Sequence, residues 1–280
     1  MQRPTSKNAI KFSKICFGYE PNKVFLQDVS FEIKENEYVC IVGHNGSGKS
    51  TVSKILNGLL KPWSGQFTLF GELITKDNID YLRNNIGVIF QNPDNQFIGL
   101  SVEDDIAFGL ENKQVEPTEM WPIIKNVTKI VGISHLLDFD SQLLSGGQKQ
   151  HVAIASVLAL DPKIIVFDEA TSMLDPKSTI ELKQLMLELK NKFKKTVISI
   201  THDMDEIIKA DKVLVMNSGK LVASGKPQDV FVKQQDVIKK SALNAPFVLE
   251  LSQLLSERNK NIKPTMNLDV LIKQVSHECK

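Results

Sequence analysis

The nonamer Gly43-His44-Asn45-Gly46-Ser47-Gly48-Lys49-Ser50-Thr51 constrains this chain more than any other stretch. It satisfies the P-loop pattern in the context where that pattern carries meaning, between an apolar run at 38–42 and a segment of helical spacing at 50–60. An uninterrupted apolar run of that length reads as a strand covered on both faces. The glycines let the backbone wrap phosphates with its N–H groups pointing inward, and the start of the following helix adds a favourable field for an anion. Lys49 is spaced to reach the β- and γ-phosphates, and the Ser50 hydroxyl to ligate Mg²⁺. A P-loop is shared by many activities, so further motifs must narrow the reading.

The run Ile164-Ile165-Val166-Phe167-Asp168-Glu169 is an apolar strand that ends in two carboxylates. Strand polarity puts both at the carboxyl edge of the sheet, where open α/β folds bind ligands. Asp168 there supports a Mg²⁺ shell, and Glu169 polarises an attacking water, since phosphoryl transfer depends on a positioned nucleophile. Leu144-Ser145-Gly146-Gly147-Gln148 is a third motif, and few proteins other than ABC ATPases contain it. On these motifs the chain resembles an ABC ATPase along most of its length. That resemblance implies ATP as the nucleotide, with Tyr19 stacked on adenine. It places Gln91 in a Q-loop that senses the metal and γ-phosphate, Ser172-Met173-Leu174-Asp175 in a D-loop, and His202 in an H-loop. It also implies that Ser145, Gly146, Gly147 and Gln148 offer a helix N-terminus to the ATP of a facing subunit, so that two cassettes close head to tail. Two departures stand out: His151, where the family usually has arginine, and Met173, where a small residue is usual.

Around these motifs the chain reads as α/β. Ile10 and Phe12, then Val29, Phe31 and Ile33, alternate with polar neighbours as half-buried strands do. Further short strands are expected at 67–70, 86–90, 164–167 and 197–200, and a hairpin at 213–222 turning through Asn217-Ser218-Gly219. Helical spacing marks 101–110, 117–131, 148–160 and 180–189. The expected fold is an ABC-type P-loop ATPase core, with a mostly parallel sheet and some antiparallel strands, a helical subdomain and a small C-terminal helical appendage. The cassette is expected over 1–235, as a core at 1–94 and 159–235 with the helical subdomain at 95–158. The appendage is expected over 236–280, with stripes at Val248, Leu251 and Leu255 and at Leu268, Leu271, Ile272 and Val275.

Composition excludes several alternatives. Lys and Arg number 34 against 33 Asp and Glu, so no field is strong enough to imply nucleic acid or an anionic bilayer. Cys16, Cys40 and Cys279 have no spacing of a metal site or disulfide framework, and Cys16 and Cys40 read as small buried hydrophobes. Residues 1–11 lack the apolar core of a signal peptide, and the longest largely apolar run, 152–160, falls short of the ~20 residues that cross a bilayer. Work at a membrane therefore requires other subunits.

Asn92-Pro93-Asp94-Asn95-Gln96-Phe97, the segment Ser101 to Gly109, and Ala245 to Leu251 narrow the resemblance. They are similar to the first of the two paralogous ATPases of energy-coupling factor (ECF) transporters, which import vitamins and transition metals. The resemblance implies a heterodimer with the paralogous ATPase, docked peripherally on the cytoplasmic side of the membrane. It implies a membrane coupling protein as partner, and interchangeable substrate-binding membrane subunits reached through it. A groove at 91–97 and 101–110, with Asp94, Glu103, Asp104 and Asp105, is expected to receive arginines of the coupling protein. A dedicated cobalt or nickel importer ATPase would look similar. A soluble ABC ATPase acting on nucleic acid would carry a basic stripe or coiled-coil insertions, and neither is present.

Overall fold

The computed structural model describes residues 8–278, so Cys279 and the first seven residues lie outside the described part. The chain opens with the antiparallel pair Asn8–Phe17 (β1) and Leu26–Lys34 (β2), whose alternate residues Ile10, Phe12, Val29, Phe31 and Ile33 are all buried. Tyr38–Val42 (β3) follows, and its five side chains divide between two cores. Tyr38, Cys40 and Val42 enter one; Val39 and Ile41 enter the other. That division follows from the two-residue period of a strand, and it explains why this run has no polar position.

After Lys49–Leu56 (α1) come Ser64–Leu69 (β4), Glu72–Leu73 (β5), Ile79–Asn85 (α2) and Ile86–Ile89 (β6). The helix expected to reach residue 60 stops at Leu56, because Asn57 and Gly58 turn the chain and Pro62 cannot continue it. Val102–Asn112 (α3), Pro117–Val131 (α4) and Gly146–Ala159 (α5) then pack on one another before the chain returns to the sheet as Ile164–Asp168 (β7). The remainder runs Pro176–Asn191 (α6), Thr196–Ile200 (β8), Met204–Lys209 (α7), Lys212–Asn217 (β9) and Lys220–Gly225 (β10). Between the last two strands, Ser218 at φ 47° and Gly219 at φ 75° form a two-residue turn of the primed kind that suits strand twist.

The strands make a four-stranded antiparallel sheet, β2-β1-β4-β5, and a six-stranded sheet, β10-β9-β3-β8-β7-β6, parallel except for β10. Buried residues of α1, α2 and the two sheets form one core; the other face of the larger sheet packs under α3 to α7. β3 and β7 are parallel to their common neighbour β8, so residues 43–51 and 168–169 emerge at the same carboxyl edge.

The C-terminal part folds as Pro227–Lys233 (α8), Gln235–Lys240 (α9), Phe247–Arg258 (α10) and Leu268–Glu278 (α11). Its apolar pattern differs from the expected stripes. On α10, Leu249 and Ser252 are the buried residues, while Val248, Leu251 and Leu255 are half-buried. On α11, Leu271 is buried, and Leu268 and Ile272 are exposed. Cys40 is fully buried as expected. Cys16 is only half-buried, with its thiol beside Asp28 Oδ1 at 3.5 Å. None of the described helices is long and apolar enough to cross a membrane.

Candidate functional site

The loop after β3 is shaped by its position against the sheet. Gly48 has φ 111°, and a Cβ there would lie 2.8 Å from Leu26 Cδ2, so glycine is required at the point where α1 begins. A cavity of about 310 Å³ opens in front of it, lined by Phe25, Asn45, Gly46, Gly48, Lys49, Ser50, Thr51 and Glu169. Lys49 is buried, and its Nζ donates to the carbonyls of Gly43 (2.7 Å) and His44 (3.2 Å). Burial depresses its pKa, while Glu169 and Asp168 act in the opposite sense.

Glu169 closes the cavity from the end of β7. It adopts φ 53°, an unusual conformation for a residue with a Cβ, and is held there by its N–H on the Ile200 carbonyl at 2.9 Å. His202 Nε2, from the loop after β8, lies 3.5 Å from Glu169 Oε1. Asp168 sits behind, half-buried; burial raises its pKa, partly offset by the Ser53 hydroxyl and by Lys49. A glycine-rich loop at a helix start, one ammonium and one carboxylate around this cavity make a combination that can take a triphosphate with a water to be oriented. The exposed Ser50 hydroxyl and the Asp168 carboxyl are hard oxygen donors of the kind Mg²⁺ takes.

Tyr19 is 58% exposed and stands edge-on to Phe17, with its hydroxyl 2.9 Å from Thr51 Oγ1. A free ring face anchored to α1 is available to stack on a flat ligand. Gln91, just beyond β6, donates from Nε2 to Ser172 Oγ at 3.0 Å. The structure therefore joins Gln91 to the 172–175 segment, and no hydrogen bond links it to Ser50 or Asp168.

Ser145 caps α5 through a reciprocal box: the Gln148 N–H donates to Ser145 Oγ (3.3 Å), and the Ser145 N–H donates to Gln148 Oε1 (2.9 Å). Ser145, Gly147 and Gln148 line a different cavity, of about 810 Å³, together with His151, Asp175 and Ser178. None of these residues lines the cavity in front of Lys49. His151 is half-buried with its Nε2 unpartnered among the described residues, and burial lowers its pKa despite nearby Glu181. Met173 is 63% exposed.

Only Asp105 of the expected acidic groove is withdrawn from its surface. Asp104 closes the capping box of α3 with Ser101, and Asp94 pairs with Lys149 at 2.7 Å. Asp105 is buried, accepting from the N–H groups of Ile98 and Gly99 (2.7 Å each) and from Ser141 Oγ. Three of the four acids thus serve their own chain. Asp94 and Asp104 remain exposed here, and beside them stand the exposed apolar side chains Ile98, Leu100, Phe139 and Leu143. Their segments adjoin, since the Val102 N–H bonds to the Phe139 carbonyl.

Sequence reasoning also missed Glu206. It is buried on α7 and accepts from Thr171 Oγ1 (2.9 Å) and Ser199 Oγ (2.5 Å), which fixes the chain just after Glu169. Burial raises its pKa, with the two hydroxyls opposing. Nothing in the pattern of 203–206 distinguished it from an exposed helix start.

The family model described as ABC transporter matches residues 26–172. The energy-coupling factor transporter ATP-binding protein EcfA1 of Ureaplasma parvum serovar 3 is 54% identical over 270 residues, covering 96% of this chain and 92% of that protein. The corresponding protein EcfA of Malacoplasma penetrans is 54% identical over 275 residues, covering 98% and 96%. Among solved structures, cbiO1 from Clostridium perfringens, part of the ABC transporter complex cbiONQ, aligns with a TM-score of 0.77 at 35% identity. The alignment covers 90% of this chain and 100% of that one. With P-loop, carboxylate edge and signature helix placed as described, this chain belongs to the ABC transporter family, among the energy-coupling factor transporter ATP-binding proteins, and is an ATPase.

Proposed function

We propose that this chain energises import of micronutrients, vitamins or transition metals, by binding and hydrolysing ATP on the cytoplasmic face of the cell membrane. The observation that carries the reading is the separation of two half-sites on one chain. The P-loop cavity holds Lys49 and Glu169, while Ser145 and Gly147 line another concavity. Each half is incomplete alone, so a second cassette must supply the other half of each nucleotide site. A paralogous ATPase is the partner proposed here, because 92–97 and 245–251 resemble one paralogue class of ECF transporters. Exposed Phe247, Leu254, Leu268 and Ile272 give the appendage an apolar surface to bury in that pairing.

In this site Tyr19 stacks on adenine, and the loop 43–51 cradles the phosphates. Lys49 neutralises the β- and γ-phosphates. Ser50, Asp168 and the Gln91 carbonyl hold Mg²⁺, which neutralises charge on the phosphate oxygens when bound. Glu169 orients the attacking water, and His202, 3.5 Å from its Oε1, holds Glu169 in place. Ser145, Gly146, Gly147 and Gln148 present the start of α5 to the facing subunit's ATP. Closure around two nucleotides then becomes a population shift that the membrane subunits read.

The face bearing Ile98, Leu100, Phe139 and Leu143 is where the membrane coupling protein docks in this reading. Substrate-binding subunits are reached only through it. Relatives named for energy-coupling factor transporters favour this over a dedicated cobalt or nickel importer.

Glu169→Gln in the assembled transporter is the test. Turnover should fall by about 10²–10⁴-fold with MgATP binding retained, whereas Lys49→Ala should weaken binding itself. Wild-type turnover by Glu169→Gln would overturn the assignment.

A further inference from the structure

The β9–β10 turn lies directly behind the nucleotide cradle and is bonded to it twice. The Gly219 N–H donates to the Ser47 carbonyl at 2.9 Å, and His44 Nε2 donates to Asn217 Oδ1 at 3.1 Å. The other ring nitrogen of His44 lies 2.7 Å from the Asn45 carbonyl oxygen, and the bond to Asn217 is that of the tautomer with its proton on Nε2. The His44 carbonyl in turn accepts from Lys49 Nζ (3.2 Å) and from the Ser47 N–H (3.1 Å). Moving His44 therefore moves the acceptors that place the phosphate-binding lysine.

Asn217 has a second bond, in the opposite direction. Its Nδ2 donates to the carbonyl of Lys240 at 3.2 Å, 23 residues along the chain. Lys240 ends α9, and the last carbonyls of any helix need partners from outside it. One half-buried amide side chain thus spends its acceptor on the P-loop and its donor on the first helix of the C-terminal appendage. The Lys240 carbonyl can only accept, so it fixes Nδ2 toward α9 and leaves Oδ1 for His44 and for the Ser218 hydroxyl at 3.0 Å.

We propose that Asn217 is a positioning residue for nucleotide binding, one that fastens the end of α9 to His44 and so couples the C-terminal appendage to the P-loop. This rests on the proposed ATP site, with the appendage serving as a pairing surface. Partner contact there then feeds back on nucleotide affinity through two hydrogen bonds rather than through the distant signature helix.

Asn217→Leu and Asn217→Asp in the full-length chain separate the two bonds. Leucine removes both. Aspartate keeps an oxygen for His44 but sets a second oxygen against the Lys240 carbonyl. Losing the His44 bond should raise the KM for ATP by about fivefold in Asn217→Leu with kcat little changed, and aspartate should recover most of that loss. Amide exchange at Ser241, Ala242 and Leu243, whose N–H groups bond back into α9, should quicken in both variants.

Wild-type KM in folded Asn217→Leu would overturn the positioning role. So would Asn217→Asp binding as weakly as Asn217→Leu. Unchanged exchange at 241–243 in Asn217→Asp would overturn the link to the appendage, and this arm decides even if the leucine variant does not fold. Wild-type protein is the control: if it fails to bind ATP, the proposed function has failed and not this coupling.

Discussion

Asp105→Ala isolates what holds the face beyond the Q-loop together. The carboxylate is 6% exposed and bridges three elements: the N–H groups of Ile98 and Gly99 at 2.7 Å each, the Ser141 hydroxyl, and its own helix α3. Alanine leaves two backbone donors and a buried hydroxyl without this acceptor. Hydrogen bonds to a charged group are worth about 1.5–3 kcal/mol net, and water reaching exposed Ile98 recovers part of that, so the loss is about 3 kcal/mol. In a chain of this size each kcal/mol shifts Tm by about 2 °C, giving a drop of about 6 °C in a thermal melt followed by circular dichroism. Asp105→Asn keeps the volume and one acceptor and should lose roughly half as much. ATP binding by the folded variant should survive, because Asp105 touches none of the P-loop cavity. Association with the membrane subunits should weaken, because Ile98 and Leu100 lose their tether. A Tm within about 1 °C of wild type would refute the bracing role.

Leu100→Asp combined with Leu143→Asp should abolish co-purification with membrane subunits while leaving soluble ATP binding intact; normal assembly would place the docking face elsewhere. Removal of residues after Gln235 should raise the dissociation constant for the partner ATPase, measured by analytical ultracentrifugation, and an unchanged constant would count against the appendage as a pairing surface. His151 titrates below its ordinary 6.5 because burial disfavours the charged ring, so the unfolded chain takes up the proton first. The contribution of His151 to stability is full above pH 6.5 and is lost as pH falls from there toward the lowered folded value. In urea melts between pH 7.5 and 5, His151→Gln should flatten that decline, and parallel curves for the two proteins would refute it.

The sequence made the phosphate loop and the carboxylate edge legible, because each is a local arrangement whose spacing carries its geometry, whereas the helix start at 145–148 came only from the family resemblance. β3 was legible for a similar reason: burial on both faces leaves no room for a polar residue at 38–42. What stayed hidden depends on contacts between distant segments. Asp94, Glu103, Asp104 and Asp105 read as one acidic surface, but Asp105 points inward to residues 98, 99 and 141, and Asp94 reaches Lys149 on α5. The tail failed in register instead. On α10 the buried position is Leu249 rather than the expected Val248, Leu251 or Leu255, while on α11 Leu271 is buried as expected and Leu268 and Ile272 are not, since short helices on a partly covered surface leave several apolar residues half-buried or exposed.

The contacts around residues 88–98 show how a signal at the phosphate site can reach α5. The segment is stitched to the core through Gln96, whose Nε2 donates to the Val88 carbonyl at 3.4 Å and whose Oε1 accepts from the Phe90 N–H at 3.3 Å. It is stitched to the signature helix through Lys149 on Asp94 (2.7 Å) and Gln150 Nε2 on the Phe90 carbonyl (3.4 Å). At its start, Gln91 bonds Ser172, whose own hydroxyl donates to the Glu169 carbonyl at 2.8 Å. A shift of Gln91 toward a metal must break the Ser172 bond and carry Phe90 and Asp94 with it. Both of those hold α5 within the first two turns after Ser145. In the proposed assembly, the helix offered to the partner's nucleotide and the segment leading to the proposed docking face would therefore be displaced together, the coupling such a reading requires.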